Sequence, residues 1–395
     1  MLIALLWCMA VWFVVFQSLA GGKLLQSNPH NSYLVQIENW FNGSVKIQNG
    51  SHYTWLELAI YHGDYYLSFP PVPSLIMIPW FLVFGVTAPS NLIIAIHCMI
   101  TAIGVYLLFK RLENSPVVCC FWTLFVVAGS NCVWLSSDGG VWMQAQILNL
   151  CFVIWGLYFY IGQNYVPAFA LLSLAVGCRP FTALLGGILL VPVIFRLLQR
   201  KNFFSLIKMS ILPILIFCAM GTYNFARFGN PLEFGHNYLP EFVNAPEGQF
   251  SLSYIWPNLL NILRPITINS RLELNFPVIQ GFCFFVANPI FAFWFWRMAK
   301  SAANKSFGRQ DAVLFAGFVV ALLMTCAHRT MGAWQFGARY TVDLIPYALL
   351  FFARKRRSAN VGIGSWTLCV SSVMLNVYGA IYMLTAWETI VGYQG

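Results

Sequence analysis

Uncharged apolar runs recur from one end of this chain to the other, and they constrain its fold more than any other feature. In lipid the backbone must satisfy its own hydrogen bonds, so such runs cross a membrane as α-helices. Charged residues make up 9% of the chain, against about 25% in soluble domains. An outer-membrane β-barrel would show short segments of alternating polarity instead. The sequence therefore predicts an all-α polytopic membrane protein.

Eleven apolar segments are predicted to cross the membrane, and several of them are short. They lie near residues 2–20, 91–109, 116–135, 142–161, 166–178, 180–196, 204–222, 278–296, 312–327, 341–353 and 362–386. The run Val72–Val86 is not counted, because it has about 15 residues where a span needs about 20. It also contains two prolines, so we expect a juxtamembrane or re-entrant helix on the outer side.

We expect the whole chain, residues 1–395, to form a single transmembrane domain. Its predicted parts are a first span in 1–20, an outer loop with juxtamembrane helices in 21–90, spans 2–7 in 91–222, a second outer loop in 223–277 and spans 8–11 in 278–395.

Basic residues are sorted unequally between the predicted loops. With a cytoplasmic N-terminus, 14 of the 22 Lys and Arg residues lie in the predicted cytoplasmic loops, together with two acids. The last of these loops contains the basic residues 354–357. This is the positive-inside pattern, so the net charge of +10 reflects membrane orientation and does not indicate a nucleic-acid partner. The first span lacks a basic n-region, so we expect it to stay uncleaved, although residues 19–21 resemble a cleavage site.

The first predicted outer loop contains an amphipathic segment at residues 31–42. Its apolar and aromatic side chains, from Tyr33 to Phe41, fall on one helical face, whereas Gln36 and Asn39 fall on the other. This pattern is typical of a helix that lies in the membrane interface.

Acids at membrane depth are rare and usually functional. Glu57 lies among apolar and aromatic residues. Burial of Glu57 among them would raise the pKa of its carboxyl and suit it to accept a proton. Asp138 follows a predicted span, where it either caps the next helix or faces a substrate. Asp64, beside a turn glycine, is better explained as a solvated loop residue, and a lone histidine such as His236 is more often a packing residue than a base. The further candidates are His30, Asn31, Glu38, Asp64, His236 and Asp343.

Three arginines are candidates for binding a phosphate, because a guanidinium holds phosphate oxygens bidentately. They are Arg179, Arg227 and Arg339. Arg339 and Asp343 are four residues apart on one predicted helix, so they either pair with each other or leave the arginine for a ligand. The same two interpretations apply to Arg179, which lies between two short spans.

Four stretches resemble the C-type (GT-C) membrane glycosyltransferases, in particular the bacterial branch near protein O-mannosyltransferases and the lipid A aminoarabinose transferase. The stretches are Tyr65-Tyr66-x-x-x-Pro70-Pro71-x-Pro73, Cys178-Arg179-Pro180, Tyr223-x-x-x-Arg227-Phe228-Gly229-Asn230-Pro231, and Gln335-Phe336-Gly337-x-Arg339-Tyr340-x-x-Asp343-x-x-Pro346. The resemblance extends from about residue 28 to residue 346.

The resemblance implies transfer of a sugar from a polyprenyl-phosphate donor to a glycan, lipid or protein acceptor at the outer face of a bacterial plasma membrane. It implies Glu57 and Asp138 as catalytic carboxylates, with Glu57 favoured as the base. It implies the three arginines as ligands of the donor phosphate. Where the family commonly has an acid early in the first loop, this chain has the stretch Asn28–Tyr33. That departure leaves open a changed acceptor, a different base or an inactive member. A divalent cation, magnesium or manganese, is the cofactor that remains open.

Two other functions compete with this interpretation. A transporter or flippase of a lipid-linked glycan would show inverted repeats with polar residues at the membrane midplane. The polar residues of this chain cluster towards one face, which favours an enzyme working at the interface. A non-catalytic member of a glycan-assembly complex would differ from an enzyme only in its activity.

Overall fold

The computed structural model describes residues 1–19, 23–268, 270, 273–354 and 361–385. Residues 19–21 and 354–357, which carry the cleavage-site and last-loop expectations, lie partly outside the described residues. The α-helices are, in chain order, α1 (Leu2–Leu19), α2 (Ser32–Phe41), α3 (Val72–Phe84), α4 (Ser90–Arg111), α5 (Pro116–Val127), α6 (Cys132–Leu135), α7 (Val141–Ile161), α8 (Tyr165–Val176), α9 (Thr182–Gln199), α10 (Phe203–Phe228), α11 (Pro240–Val243), α12 (Ile255–Asn261), α13 (Phe284–Ala287), α14 (Ile290–Ala303), α15 (Arg309–Cys326), α16 (Ile345–Arg354) and α17 (Ile363–Thr385).

The helices confirm an all-α polytopic integral membrane protein. Among the described residues, seven helices are long and apolar enough to cross a membrane: α1, α4, α7, α9, α10, α15 and α17. The other four of the eleven predicted spans form helices of 10 to 14 residues, namely α5, α8, α14 and α16. The predicted span 116–135 is interrupted between α5 and α6, where the backbone N–H of Asn131 donates to Asn288 Oδ1 at 2.8 Å.

The helix in the run Val72–Val86 has 13 residues and begins after Pro71. Its length fits the expectation of a juxtamembrane element better than that of a span. Two other boundaries differ from expectation. The helix α10 continues to Phe228, so the second loop begins at Gly229 and not at residue 223. Arg339 to Leu344 form a 3₁₀ helix ahead of α16, and not part of one α-helix.

The chain forms two compact units, which we describe separately. The first unit contains residues 1–24, 95–137 and 252–395. Its interior is joined by buried asparagines: Asn131 Nδ2 donates to the carbonyl of Phe336 at 2.6 Å, and Asn288 Nδ2 donates to Thr341 Oγ1 at 2.9 Å. The first bond satisfies a backbone carbonyl and the second a side-chain hydroxyl, and leaving either group unpaired would be costly in an apolar interior.

The second unit contains residues 25–94 and 138–251. In it α2 packs on α3 around Tyr33, Leu34, Ile37 and Met77. The predicted amphipathic helix is confirmed, but its polar face is not solvated. Gln36 is fully buried and Asn39 donates to the carbonyl of Val35 at 2.8 Å.

A β-hairpin follows α2 in the second unit, and it was not predicted. The strands β1 (Leu58–Tyr61) and β2 (Asp64–Leu67) pair antiparallel, with Leu58 opposite Leu67. The two turn residues, His62 and Gly63, have φ angles of 51° and 83°, as a two-residue type I′ hairpin turn requires. The other pair of strands is β3 (Thr267–Ile268) with β4 (Leu274–Asn275) in the first unit.

Candidate active site

Asp138 lies at the start of α7, where it organises the turn into the helix. Its Oδ1 accepts hydrogen bonds from Asn28 Nδ2 at 2.5 Å and from the backbone N–H of Gly140, the N-cap residue, at 2.8 Å. The adjacent N–H of Gly139 donates to Asn91 Oδ1 at 2.6 Å. Asp138 thus precedes the N-cap residue and does not cap α7 itself; its carboxylate stabilises the turn before the helix and accepts a hydrogen bond from Asn28.

Glu57 comes to the same end of α7 from the first loop. Trp142, one turn after Asp138, donates from its indole Nε1 to Glu57 Oε2 at 2.8 Å. The ring of His30 lies 5.4 Å from the Trp142 ring, and the His30 carbonyl accepts from the N–H of Val141 at 3.1 Å. The structure thus brings Glu57, Asp138 and His30 together around the first turn of α7.

Glu57 lines an open groove of about 420 Å³ in the second unit. The hairpin strand β1, the short segment Gly50–Leu56 and the start of α11 form its walls. A second carboxylate, Glu241, lies in the wall contributed by α11. The volume falls within the roughly 300–1,000 Å³ typical of small-molecule sites.

A second polar region lies on the α2 side of the same unit. Tyr33 is fully buried, and this burial raises the pKa of its hydroxyl, with Arg179 and Glu57 close enough to act on it electrostatically. His236 Nδ1 lies 2.7 Å from the carbonyl of Ser68. A carbonyl only accepts, so Nδ1 carries the proton and donates. Burial lowers the pKa of His236, which favours the neutral imidazole.

The buried guanidinium of Arg227, near the end of α10, is held by hydrogen bonds and by an aromatic ring. It is 2% exposed, and its guanidinium donates to the carbonyl of Leu67 at 2.6 Å and to Asn224 Oδ1 at 2.8 Å. The guanidinium also lies 4.2 Å from the centre of the Tyr223 ring. These contacts join α10 to the end of β2, so the geometry fits a structural arginine better than the predicted phosphate ligand.

The remaining predicted residues of the second unit have simpler surroundings. Asp64 forms an ion pair with Lys46 at 2.7 Å on the exposed hairpin, consistent with a solvated loop residue. Glu38 is half-buried on α2. Asn31 precedes α2 and is buried, and in the described parts of the chain its side-chain amide has no hydrogen-bond partner.

Arg339 and Asp343 belong to the first unit. Arg339 is buried, and its Nη2 donates to the carbonyl of Gly332 at 3.2 Å while its backbone N–H donates to Gln335 Oε1 at 2.7 Å. Its guanidinium lies 4.9 Å from the Tyr340 ring centre. The 3₁₀ conformation changes the expected relation to Asp343, because side chains three residues apart, and not four, are in line in such a helix. A phosphate-binding role for Arg339 stays a prediction.

Two residues of the site, Asn28 and Trp142, were not among the candidates from the sequence. Asn28 donates to Asp138, which lies 110 positions further along the chain. Trp142 was counted only as part of a span. No local pattern singles it out, because its partner Glu57 lies 85 positions away in the chain.

The Asn28→Asp variant is expected to unfold more easily at about pH 7.5 than at about pH 4.5, relative to the wild type. It would place a second carboxylate against Asp138, and two like charges at that distance raise the pKa of one of them. The raised pKa in the folded state favours folding below the ordinary Asp pKa, and that contribution is lost as pH rises through the raised value. Thermal unfolding in detergent across this pH range measures the effect. Equal pH dependence in Asn28→Asp and in the control Asn28→Ala would contradict it.

A magnesium or manganese ion was the cofactor left open by the sequence. Among the described residues, no three His, Cys, Asp or Glu side chains are grouped so that they could hold a metal ion. Asp138 Oδ1 is occupied by two hydrogen bonds from the chain itself. A divalent cation as cofactor stays a prediction.

Comparison with solved structures identifies the fold. The crystal structure of the Archaeoglobus fulgidus oligosaccharyltransferase in its apo form matches 97% of this chain at a TM-score of 0.57 and 14% identity. That of ArnT from Cupriavidus metallidurans bound to undecaprenyl phosphate matches 91% at a TM-score of 0.51 and 15% identity. The matches cover 56% and 62% of those two chains, so this protein spans little more than half of their length.

No family model and no curated protein sequence matches this chain. The likeness to known proteins is therefore a likeness of fold. This chain has a fold similar to that of the Archaeoglobus fulgidus oligosaccharyltransferase and of ArnT from Cupriavidus metallidurans.

Proposed function

We propose that this protein transfers a sugar from a polyprenyl-phosphate donor to an acceptor hydroxyl at the outer face of the membrane. The observation that carries the proposal is the Glu57 carboxylate, which accepts a hydrogen bond from the Trp142 indole and lines an open groove. Of the two matched structures, ArnT contains undecaprenyl phosphate, a lipid phosphate of the proposed class. The sugar, the acceptor and the outer-face orientation are parts of this proposal.

The proposed reaction needs a base and a ligand for the leaving phosphate. The acceptor oxygen attacks the anomeric carbon of the sugar, and the bond from that carbon to the phosphate oxygen breaks. The acceptor's proton passes to the Glu57 carboxylate, and polyprenyl phosphate leaves with the bonding electrons. A positioned base of this kind contributes about 10²–10⁴-fold to the rate.

Arg179 is the arginine of the second unit that we assign to the donor phosphate. It is half-buried in the turn between α8 and α9 and lies within electrostatic range of both Tyr33 and His236. Because burial keeps His236 mostly neutral, the positive charge of this region comes from the guanidinium. Arg339 is the corresponding candidate in the first unit.

The function is tested with purified protein in detergent and a panel of polyprenyl-phosphate sugars. We expect the release of polyprenyl phosphate to match the appearance of glycosylated acceptor in amount. A flippase would bind the donors and move them between the leaflets of vesicles without releasing polyprenyl phosphate. A scaffold would neither consume nor translocate them. Either result, with donors covering hexoses, pentoses and amino sugars, contradicts the proposal.

The Arg179→Lys variant is expected to weaken donor binding by about tenfold while the protein stays folded, because lysine lacks the planar fork that holds two phosphate oxygens. Titration with a polyprenyl-phosphate sugar, followed by tryptophan fluorescence, measures the change. The matched control is Arg196→Lys on α9, whose exposed guanidinium donates to the Tyr165 hydroxyl. Equal donor affinity in Arg179→Lys and the control would remove Arg179 from the site, and Arg339→Lys then tests the other candidate.

A further inference from the structure

The groove lined by Glu57 is built from polar loop segments and not from the membrane helices. Its walls come from the stretch Gly50–Leu58, from the hairpin and from the start of α11. None of these elements belongs to the seven long apolar helices of the described chain. The groove is therefore formed by the first loop, its hairpin and a short helix of the second loop.

Six of the twelve residues that line the groove carry a hydroxyl, a phenol or a carboxylate, and five are aliphatic. Ser51 and Thr54 supply hydroxyls that both donate and accept hydrogen bonds, as sugar hydroxyls do. Tyr53 and Tyr65 supply aromatic rings with a polar end, which suits a ligand that has both apolar C–H faces and hydroxyl groups. These groups match a pyranose ring better than an acyl chain.

The charge of the groove restricts its ligand further. Glu57 and Glu241 both line it, and no basic side chain is among its lining residues in the described parts of the chain. Lys46 does not line the groove, and its ammonium is paired at 2.7 Å with the Asp64 carboxylate of the hairpin. An anionic ligand would meet two carboxylates, which opposes its binding, whereas a neutral or cationic ligand would not.

One glycine fixes the shape of the wall. Gly50 packs directly against the Tyr65 side chain, and a Cβ at position 50 would overlap with Cβ and Cγ of that tyrosine. The closeness of the two residues holds the Tyr65 ring between the groove and a small apolar cluster of Ile47, Leu56 and Leu58. The position of the aromatic wall is thus built into the backbone of the first loop.

We infer that this groove binds a water-soluble, hydroxyl-rich acceptor, the end of a neutral or amino-substituted glycan chain, and excludes anionic acceptors. That the bound glycan is the acceptor rests on the proposed function, in which Glu57 is the base. Binding of the glycan to the groove does not rest on it, because this binding can be measured without any donor.

The test is saturation-transfer NMR on the full chain in detergent with three soluble trisaccharides. We expect signals from a neutral mannotriose and from a glucosamine trimer, and none from a sulfated trisaccharide. Tyr65→Ala should weaken mannotriose binding about tenfold, as the loss of one aromatic contact predicts. Ser51→Trp, which fills the groove from an exposed position and leaves the apolar cluster intact, should abolish it.

Charge reversal provides the specificity test. Glu241→Lys should admit the sulfated trisaccharide, while the control Glu247→Lys, on an acid outside the groove, should not. Equal binding of the sulfated and neutral sugars to the wild type, or mannotriose binding unchanged in Ser51→Trp, would overturn the inference. If mannotriose binds as expected and no donor is consumed, the groove stands and the proposed function fails. If donor is consumed but only lipid acceptors are glycosylated, the inference fails and the proposed function stands.

Discussion

Glu57→Gln is expected to lower sugar transfer by about 10²–10⁴-fold, the contribution of a positioned base. The amide keeps the volume of the side chain and still offers an oxygen to the Trp142 indole, so the hydrogen bond of 2.8 Å can persist. The amide cannot take the acceptor's proton at neutral pH. Initial rates of polyprenyl-phosphate release at saturating donor measure the effect, and size-exclusion chromatography checks that the protein stays monodisperse.

Two comparisons make this result specific. Asp64→Asn removes a carboxylate from the same hairpin, where it pairs only at the exposed surface with Lys46, and should leave the rate nearly unchanged. Asp138→Asn removes the charge but keeps an oxygen that can accept from Asn28 and from the N–H of Gly140, so a fall in transfer would assign the charge of Asp138 to the reaction. Near-full transfer by both Glu57→Gln and Asp138→Asn would remove the site, and His30 and Glu38 would become the next candidates.

Arg227→Met is expected to destabilise the protein strongly and not merely to weaken donor binding. It would leave the carbonyl of Leu67 and Asn224 Oδ1 without their donor in a buried position. Each buried acceptor left unpaired costs about 1–3 kcal/mol. The stability of Arg227→Lys should lie between those of the wild type and Arg227→Met, because an ammonium cannot reproduce both bonds of the guanidinium fork. Thermal unfolding in detergent, followed by tryptophan fluorescence, measures the loss.

The alternative for Arg227 gives a different pattern. If it were a ligand of the donor phosphate, as its motif implies, Arg227→Met would keep the wild-type unfolding temperature and lose donor affinity. An unchanged unfolding temperature would therefore contradict the structural role. Arg196→Met serves as the control, because the guanidinium of Arg196 is exposed and its removal should leave both properties unchanged.

The membrane class, the helix α2 and the motifs of the fold were predictable from local features of the sequence. Runs of apolar residues are sufficient for the first, because lipid permits few backbone structures. Seven predicted spans became long helices. Two of the others are interrupted at Asn131 and at Asn288, whose hydrogen bonds to distant groups compete with continued helix. Such partners are invisible to a window that reads only neighbouring residues.

The chemistry of the candidate site depended on contacts between distant segments. Glu57 could be named from its apolar surroundings and Asp138 from its place after a predicted span, but their partners Trp142 and Asn28 lie 85 and 110 positions away. Arg227 was a candidate phosphate ligand from its sequence motif. Its guanidinium instead donates a hydrogen bond to the carbonyl of Leu67, at the end of a hairpin that was not predicted from the sequence. Which buried charge serves the fold and which serves a substrate is decided by the groups it meets in three dimensions. Hydropathy and spacing report only that burying the charge is costly.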